Sequence, residues 1–183
     1  HFWVEGLIAS CVVMFAAWIW QWKNDHPAIV DIVWSYLTTG LAVGWVLLEV
    51  EATWTRKMLV VIPIALWGLR LGFHLHTRLK RDGSDGRYNA MSTAMGNWKP
   101  IGYFFFYQFQ ALGAFFLALS PYTALTGAPD EIRLIDTLAL MLWIGANTNY
   151  NVDLSLPEII RMDKAPLEFH YFGDSTPKDS DIH

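Results

Sequence analysis

The chain has few charged residues and only one cysteine. Asp, Glu, Lys and Arg make up 16% of its 183 residues, whereas soluble domains average about a quarter. The net charge of −4 gives no reason to expect nucleic-acid binding. Cys11 has no second cysteine to pair with, which excludes an internal disulfide. No Cys or carboxylate lies at a ligand spacing from His74 or His76, so we predict no metal site.

What the sequence does contain is apolar residues, which make up 54% of the chain. A helix needs about 20 mostly apolar residues to cross a bilayer. Five segments meet or approach that length, and we predict transmembrane helices over 2–22, 28–50, 58–79, 101–119 and 134–152. Pro27 suits the first turn of the second helix, and Pro63 should bend the third.

These segments predict an all-α, polytopic integral membrane protein, with the type of membrane left open. A soluble bundle of this length could not cover five helices that are apolar on all sides. The transmembrane domain is expected over 1–160 and a polar tail over 161–183. No cleavage site precedes the first apolar run, so that run is not interpreted as a signal peptide.

The distribution of Lys and Arg predicts the orientation in the membrane. The first connection, the third connection and the tail share one side of the bilayer. Their cations are Lys23, Arg78, Lys80, Arg81, Arg87, Lys99, Arg161, Lys164 and Lys178. The opposite side holds only Arg56, Lys57 and Arg133. The positive-inside rule therefore predicts an outside N-terminus and a cytoplasmic C-terminus.

A row of cations interrupts the third apolar segment. Arg70, His74 and Arg78 follow at i, i+4 and i+8, so they share one face of a helix. An Arg at the centre of a bilayer costs about 2.5–3.5 kcal/mol, so such a residue usually faces a wet cavity or a partner. We predict a ligand or lipid cleft lined by these three residues and Gln108. Each residue also has a structural alternative. Arg78 would only extend its charged end to the membrane interface, and Gln108 would form a hydrogen bond with a neighbouring helix. Arg70 would bind carbonyls freed near Pro63 or pair with a carboxylate.

Two further residues are candidates for carbonyl chemistry. Asp31 stands early in the second helix, and Tyr88 lies in the polar segment DGRYNA. A tyrosine can donate a proton to a carbonyl substrate when a charged neighbour tunes it. The alternatives are a carboxylate favoured by the helix dipole and an interfacial tyrosine in a solvated turn.

The stretches VDIVW, LWGLRLGFHLHTR and DGRYNAM, in this order, resemble the steroid 5-alpha-reductase-like membrane family, in its uncharacterised branch. The resemblance covers about residues 25–161. It implies a polytopic helical protein that uses NADPH to reduce a carbon–carbon double bond conjugated to a carbonyl. It also implies that Asp31 and Tyr88 polarise that carbonyl, and that Asn149, Asp153 and Arg161 belong to the first part of the cofactor-binding region.

One departure from the family pattern shapes the functional expectation. The family continues with two more membrane segments that carry an Arg-x-x-His-Pro-Asn-Tyr type motif and a Glu, whereas this sequence ends LPEIIRMDKAPLEFHYFGDSTPKDSDIH. We therefore expect a catalytically incomplete, reductase-like protein without a cofactor of its own. It would act as an accessory or scaffold subunit that contacts membrane lipids and other membrane subunits.

Small residues on two helices offer surfaces for close packing in such an assembly, namely Gly40, Gly44, Gly68 and Gly72.

Two alternatives stay open beside the accessory role. One is an active NADPH-dependent reductase of a lipid or steroid enone, and the other is a lipid- or quinone-binding module without chemistry. The sequence leaves open whether the chain is an enzyme.

Overall fold

The structure is a computed structural model that describes residues 2–48, 50–82, 86–126 and 131–149. Its elements, in chain order, are α1 (Phe2–Asn24), α2 (Ile29–Leu48), α3 (Trp54–Asp82), α4 (Gly86–Met95), a 3-10 helix (Gly96–Trp98), α5 (Lys99–Leu125) and α6 (Leu134–Asn149). The described residues contain no β-strand, which confirms the prediction of an all-α fold. The predicted polar tail, 161–183, lies outside them.

Four helical stretches are long and apolar enough to cross a membrane. They are Phe2–Asn24, Ile29–Leu48, Trp54–Arg81 and Gly86–Leu125. The fifth predicted span corresponds to a shorter apolar stretch, Leu134–Asn147. The prediction of a polytopic membrane protein is therefore confirmed by helix length and composition, while its orientation stays a prediction.

The chain forms two compact units, of which the first covers His1–Thr137 and the second begins at Leu138. The first unit contains α1 to α5. The described part of the second unit is the remainder of α6, and large apolar side chains such as Met141, Leu142 and Ile144 are exposed there.

Prolines stand inside α3 and at the start of α5, and the bend predicted at Pro63 stays a prediction. α3 begins at Trp54 and continues through Pro63 without a break. Membrane helices tolerate an internal proline because neighbouring groups satisfy the carbonyl that it frees. Pro100 stands at the start of α5, where its missing N–H leaves no bond unmade.

The turn between α1 and α2 is fixed at both of its ends. Asp25 has a positive φ of 54° and donates its backbone N–H to the Gln21 carbonyl, which closes α1. The Asp25 carboxylate accepts a 2.6 Å bond from Lys99 Nζ at the start of α5. This turn therefore sits against the beginning of α5, and α2 starts from a defined position.

Helices α2 and α3 pack closely because two glycines of α3 lack a side chain. A Cβ on Gly68 would lie 2.6 Å from Thr39 Cβ, and one on Gly72 would lie 2.6 Å from Tyr36 Cε1. At Gly40 and Gly44 an added Cβ would meet no described atom within 4 Å. The α3 glycines therefore pack against α2 within the chain, whereas the α2 glycines face open space among the described residues. Close packing of these glycines in an assembly stays a prediction.

A cluster of buried side chains forms the core beside the α1–α2 turn. Its members are Met14, Ala17, Val30, Tyr88, Tyr103, Tyr107 and Ala111. Tyrosine is amphipathic and usually finds a hydrogen-bond partner when it is buried. Three tyrosines in one cluster therefore indicate that this end of the bundle contains polar contacts within an apolar setting.

Candidate functional site

Asp31 and Tyr88 meet at the end of the bundle that holds the α1–α2 turn. The Tyr88 hydroxyl donates a hydrogen bond of 2.8 Å to Asp31 Oδ1. Asp31 stands in the first turn of α2, where the helix dipole favours a carboxylate. Tyr88 lies in the first turn of α4 and is only 5% exposed. The structure thus brings together the two residues proposed for carbonyl chemistry, and their catalytic roles stay predictions.

Arg87 completes a group of three polar side chains. Its Nη2 atom lies 3.2 Å from Asp31 Oδ2, and its Cζ atom lies 5.5 Å from the centre of the Tyr88 ring. The side chain of Arg87 is 67% exposed and that of Asp31 is 28% exposed. Both carboxylate oxygens are therefore engaged, and Arg87 and Asp31 are accessible from outside the protein, whereas Tyr88 is buried.

This group contains the kinds of donor that carbonyl chemistry requires. A carbonyl oxygen placed beside the Tyr88 hydroxyl would meet an O–H donor with a guanidinium group close by. Such donors stabilise negative charge that develops on oxygen during a reaction. The carboxylate of Asp31 orients both donors because it accepts a bond from each of them.

Helix α4 is held in place by α5. The Tyr103 hydroxyl donates to the Tyr88 carbonyl at 3.1 Å and lies 2.7 Å from Ser92 Oγ. The Tyr107 hydroxyl donates to the Pro27 carbonyl at 3.0 Å. Neither α5 tyrosine was predicted from the sequence as a site residue. Their spacing of four residues places both on one face of α5, but this spacing alone does not distinguish them from the other aromatic residues of the helix.

The cation row lies on an exposed face of α3. Arg70, His74 and Arg78 are exposed on the face of α3 opposite to Gly68 and Gly72, the glycines that contact α2. The proposed cleft along this row stays a prediction.

Gln108 contacts the first helix. Its Nε2 atom lies 3.5 Å from the Cys11 carbonyl of α1, at the limit of a hydrogen bond. Of the two roles that the sequence allowed for Gln108, this geometry corresponds to a bond between helices.

The residues implied for cofactor binding fall outside the description. Asn149 is the last residue of α6, and its side chain is not among those described. Asp153 and Arg161 lie beyond the described residues. Within the described residues, no group of three or more His, Cys, Asp or Glu side chains could hold a metal ion.

A second polar contact lies where α3 begins, with Arg56 buried at its centre. Arg56 binds the Glu131 carbonyl through Nη1 at 3.0 Å, and Nη1 and Nη2 lie 3.2 and 3.3 Å from the Asp136 carboxylate. The Arg133 backbone N–H donates a 2.9 Å bond to the same carboxylate. This N–H and the Arg56 side chain together lower the pKa of Asp136 below its ordinary value. Asp136 lies outside the four candidate spans.

Comparison with known proteins gives one result. No match was found among curated proteins or among solved structures. A family described as "Protein of unknown function (DUF1295)" matches residues 17–155, which is well over half of the chain and includes Asp31 and Tyr88. The chain therefore belongs to the DUF1295 family.

Proposed function

We propose that this chain reduces a carbon–carbon double bond conjugated to a carbonyl in a lipid dissolved in the membrane, with NADPH as the hydride donor. The observation that carries the proposal is the 2.8 Å hydrogen bond between Tyr88 and Asp31 at an accessible end of an apolar bundle. The resemblance to steroid 5-alpha-reductase-like proteins gives independent support, because it suggested these same two residues from sequence.

The chemistry requires a donor at the carbonyl oxygen. In this reduction a hydride adds to the carbon β to the carbonyl, and a proton from water then adds to the α carbon. Negative charge builds on the carbonyl oxygen between these two events. NADPH supplies the hydride when it is bound. The Tyr88 hydroxyl, supported by the Arg87 guanidinium, is the group that would stabilise the oxygen.

Asp31 allows Tyr88 to change its hydrogen-bond partner. In the structure the Tyr88 hydrogen points to Asp31 Oδ1, and Asp31 Oδ2 accepts from Arg87. A hydroxyl rotates about its C–O bond to suit its partners. When a substrate carbonyl arrives, the hydroxyl turns to it, and Asp31 keeps its charged partner Arg87. The carboxylate is therefore not left unpaired when Tyr88 binds the substrate.

A lipid substrate fits the surroundings of the site. The helices that carry Asp31 and Tyr88 belong to candidate membrane spans. Phe106 of α5 packs beside Tyr88 with its ring centre 6.2 Å from that of Tyr88, which gives the site an apolar neighbour. An apolar substrate can therefore approach within the bilayer while its carbonyl reaches the polar end of the bundle.

The proposal is tested on the full-length protein in detergent micelles. NADPH oxidation is followed by absorbance with a long-chain enone as the probe, and the saturated ketone is identified by mass spectrometry. We expect enone-dependent oxidation and a fall in kcat of about 10²–10³-fold in Tyr88→Phe, the loss typical of a removed oxyanion donor. Tyr122→Phe, at the other end of α5, is the matched control and should keep full activity.

Two results would overturn the proposal. One is the absence of both NADPH binding and enone turnover in the wild-type protein. The other is turnover that is equal in Tyr88→Phe and in wild type. Enone binding without turnover would instead favour the lipid- or quinone-binding module. The accessory role expected from the sequence stays a prediction.

A further inference from the structure

Two tyrosines of α5 hold the two segments that form the Asp31–Tyr88 pair. Tyr103 and Tyr107 are both fully buried, and they stand one helical turn apart. Tyr103 binds the backbone of α4 at the carbonyl of Tyr88, and Tyr107 binds the turn before α2 at the carbonyl of Pro27. Tyr88 is thus held to α5 through its own carbonyl, and Asp31 is held through the turn that precedes α2.

The direction of these hydrogen bonds follows from the number of donors. A tyrosine has one hydroxyl hydrogen, and that of Tyr103 goes to the Tyr88 carbonyl. Ser92 must then be the donor in its 2.7 Å contact with Tyr103. The result is a chain of two bonds, from Ser92 through Tyr103 to Tyr88, in which each bond strengthens the next.

The spacing of Tyr103 and Tyr107 on α5 also relates the position of Asp31 to that of Tyr88. Tyr103 and Tyr107 are about 6 Å apart along the helix axis, because α-helical residues rise about 1.5 Å each. The Pro27 carbonyl also accepts the Val30 N–H, so it belongs to the first turn that leads into α2 and to Asp31. One rigid turn of α5 therefore serves as the common reference for Asp31 and Tyr88.

We propose that Tyr103 and Tyr107 are positioning residues that set the geometry of the Asp31–Tyr88 pair, and this inference rests on the function proposed above. Neither hydroxyl needs to touch the substrate. Reacting groups must be held close to the productive geometry, and a displacement of 1 Å can reduce a rate by about 10²-fold. Loss of either hydroxyl should therefore affect turnover more than substrate binding.

Phenylalanine is the suitable replacement because it keeps the ring and its packing. We expect Tyr103→Phe and Tyr107→Phe each to lower kcat for the enone by about tenfold, with KM nearly unchanged, as for a loss confined to the transition state. Ser92→Ala removes the hydrogen bond from Ser92 to Tyr103 and should give a smaller fall in kcat. Tyr122→Phe is the matched control on the same helix and should leave both constants unchanged.

A second measurement reports on the geometry without any need for activity. A 3-fluorotyrosine placed at Tyr88 gives a fluorine NMR resonance that responds to its hydrogen bond with Asp31. We expect this resonance to shift in Tyr103→Phe and Tyr107→Phe and to stay in place in Tyr122→Phe. Asp31→Asn supplies the reference shift for a perturbed pair.

The two measurements separate this inference from the function on which it rests. A shifted resonance in a protein without enone turnover would keep the positioning role and reject the reductase. Turnover in wild type together with an unchanged resonance and an unchanged kcat in both phenylalanine variants would reject the positioning role alone. A rise in KM without a fall in kcat would also reject it, because the tyrosines would then act on binding.

Discussion

The Tyr88 hydroxyl donates to Asp31 across 57 residues of sequence, and this bond joins α4 to the first turn of α2. A buried tyrosine hydroxyl in an apolar bundle needs a partner, and a carboxylate is the strongest acceptor available to it. The exposed Arg87 guanidinium holds the other oxygen of that carboxylate. The pair is therefore fixed in space, and Asp31 and Arg87 are the accessible members of the group.

Substitution of the carboxylate should abolish most of the proposed activity. Asp31→Asn removes the charge that orients Tyr88 and Arg87, and we expect kcat for the enone to fall by about 10²-fold, the lower end for a group in acid–base catalysis. Glu5→Gln is the control, because it removes one negative charge from an exposed side chain at the start of α1. Equal rates in Asp31→Asn and wild type would contradict the role of Asp31.

The glycines of α3 should be intolerant of a methyl group. Gly68→Ala would place Cβ against Thr39 of α2, and we expect a loss of about 1–3 kcal/mol in the free energy of unfolding, as for other overpacked sites. Gly40→Ala makes the same change where no described atom lies within 4 Å. Thermal unfolding in detergent should show a lower Tm for Gly68→Ala only. A similar Tm for both variants would mean that α2 and α3 can separate at no cost.

The Asp136 carboxylate should make stability depend on acid pH. Its pKa is lower in the folded protein than in the unfolded chain, so its contribution is present above the unfolded pKa of about 3.9. That contribution is lost as the pH falls through the lower, folded pKa. The Tm difference between wild type and Asp136→Asn should therefore be largest near neutral pH and shrink below about pH 4.

Glu131 provides the control for the Asp136 experiment. Glu131→Gln changes an exposed side chain and keeps the backbone carbonyl that Arg56 binds. We expect its Tm to follow the wild-type curve at every pH. A Tm difference for Asp136→Asn that stays constant down to strongly acidic pH would show that the charge of Asp136 does not contribute.

The orientation in the membrane can be tested with single cysteines. Cys11→Ala removes the only native cysteine. In that background Asn97→Cys and Thr55→Cys place exposed thiols at opposite ends of the bundle. The positive-inside rule predicts that a membrane-impermeant maleimide labels Asn97→Cys from the cytoplasmic side and Thr55→Cys from the other side. Labelling in the reverse sense would overturn the predicted topology.

Length and apolar composition were enough to predict the long helices, but not α4. The segment GRYNAMSTAM contains Gly, Asn, Ser and Thr, which are weak helix formers. It becomes helical because one face packs on α5, where Tyr88 is buried, Met91 meets the core and Ser92 binds Tyr103. Such a tertiary contact leaves no periodic signal in a ten-residue segment.

In the candidate site, too, some residues could be predicted from the sequence and others could not. Asp31 and Tyr88 were identifiable because a carboxylate and a tyrosine near membrane boundaries resembled a known pattern. Tyr103 and Tyr107 were not, because in the run IGYFFFYQF they look like other aromatic residues of a membrane helix. Only the fold shows that their hydroxyls reach backbone carbonyls of other segments.

The separation of Asp31 from Tyr88 has a consequence for biosynthesis. At about 5–20 residues per second, a ribosome makes Tyr88 roughly 3–11 s after Asp31. The whole of α3 is synthesised within that interval, before the Asp31 carboxylate can meet the Tyr88 hydroxyl. The pair can therefore form only after α3 has been made, and a misplaced α3 would separate Asp31 from Tyr88.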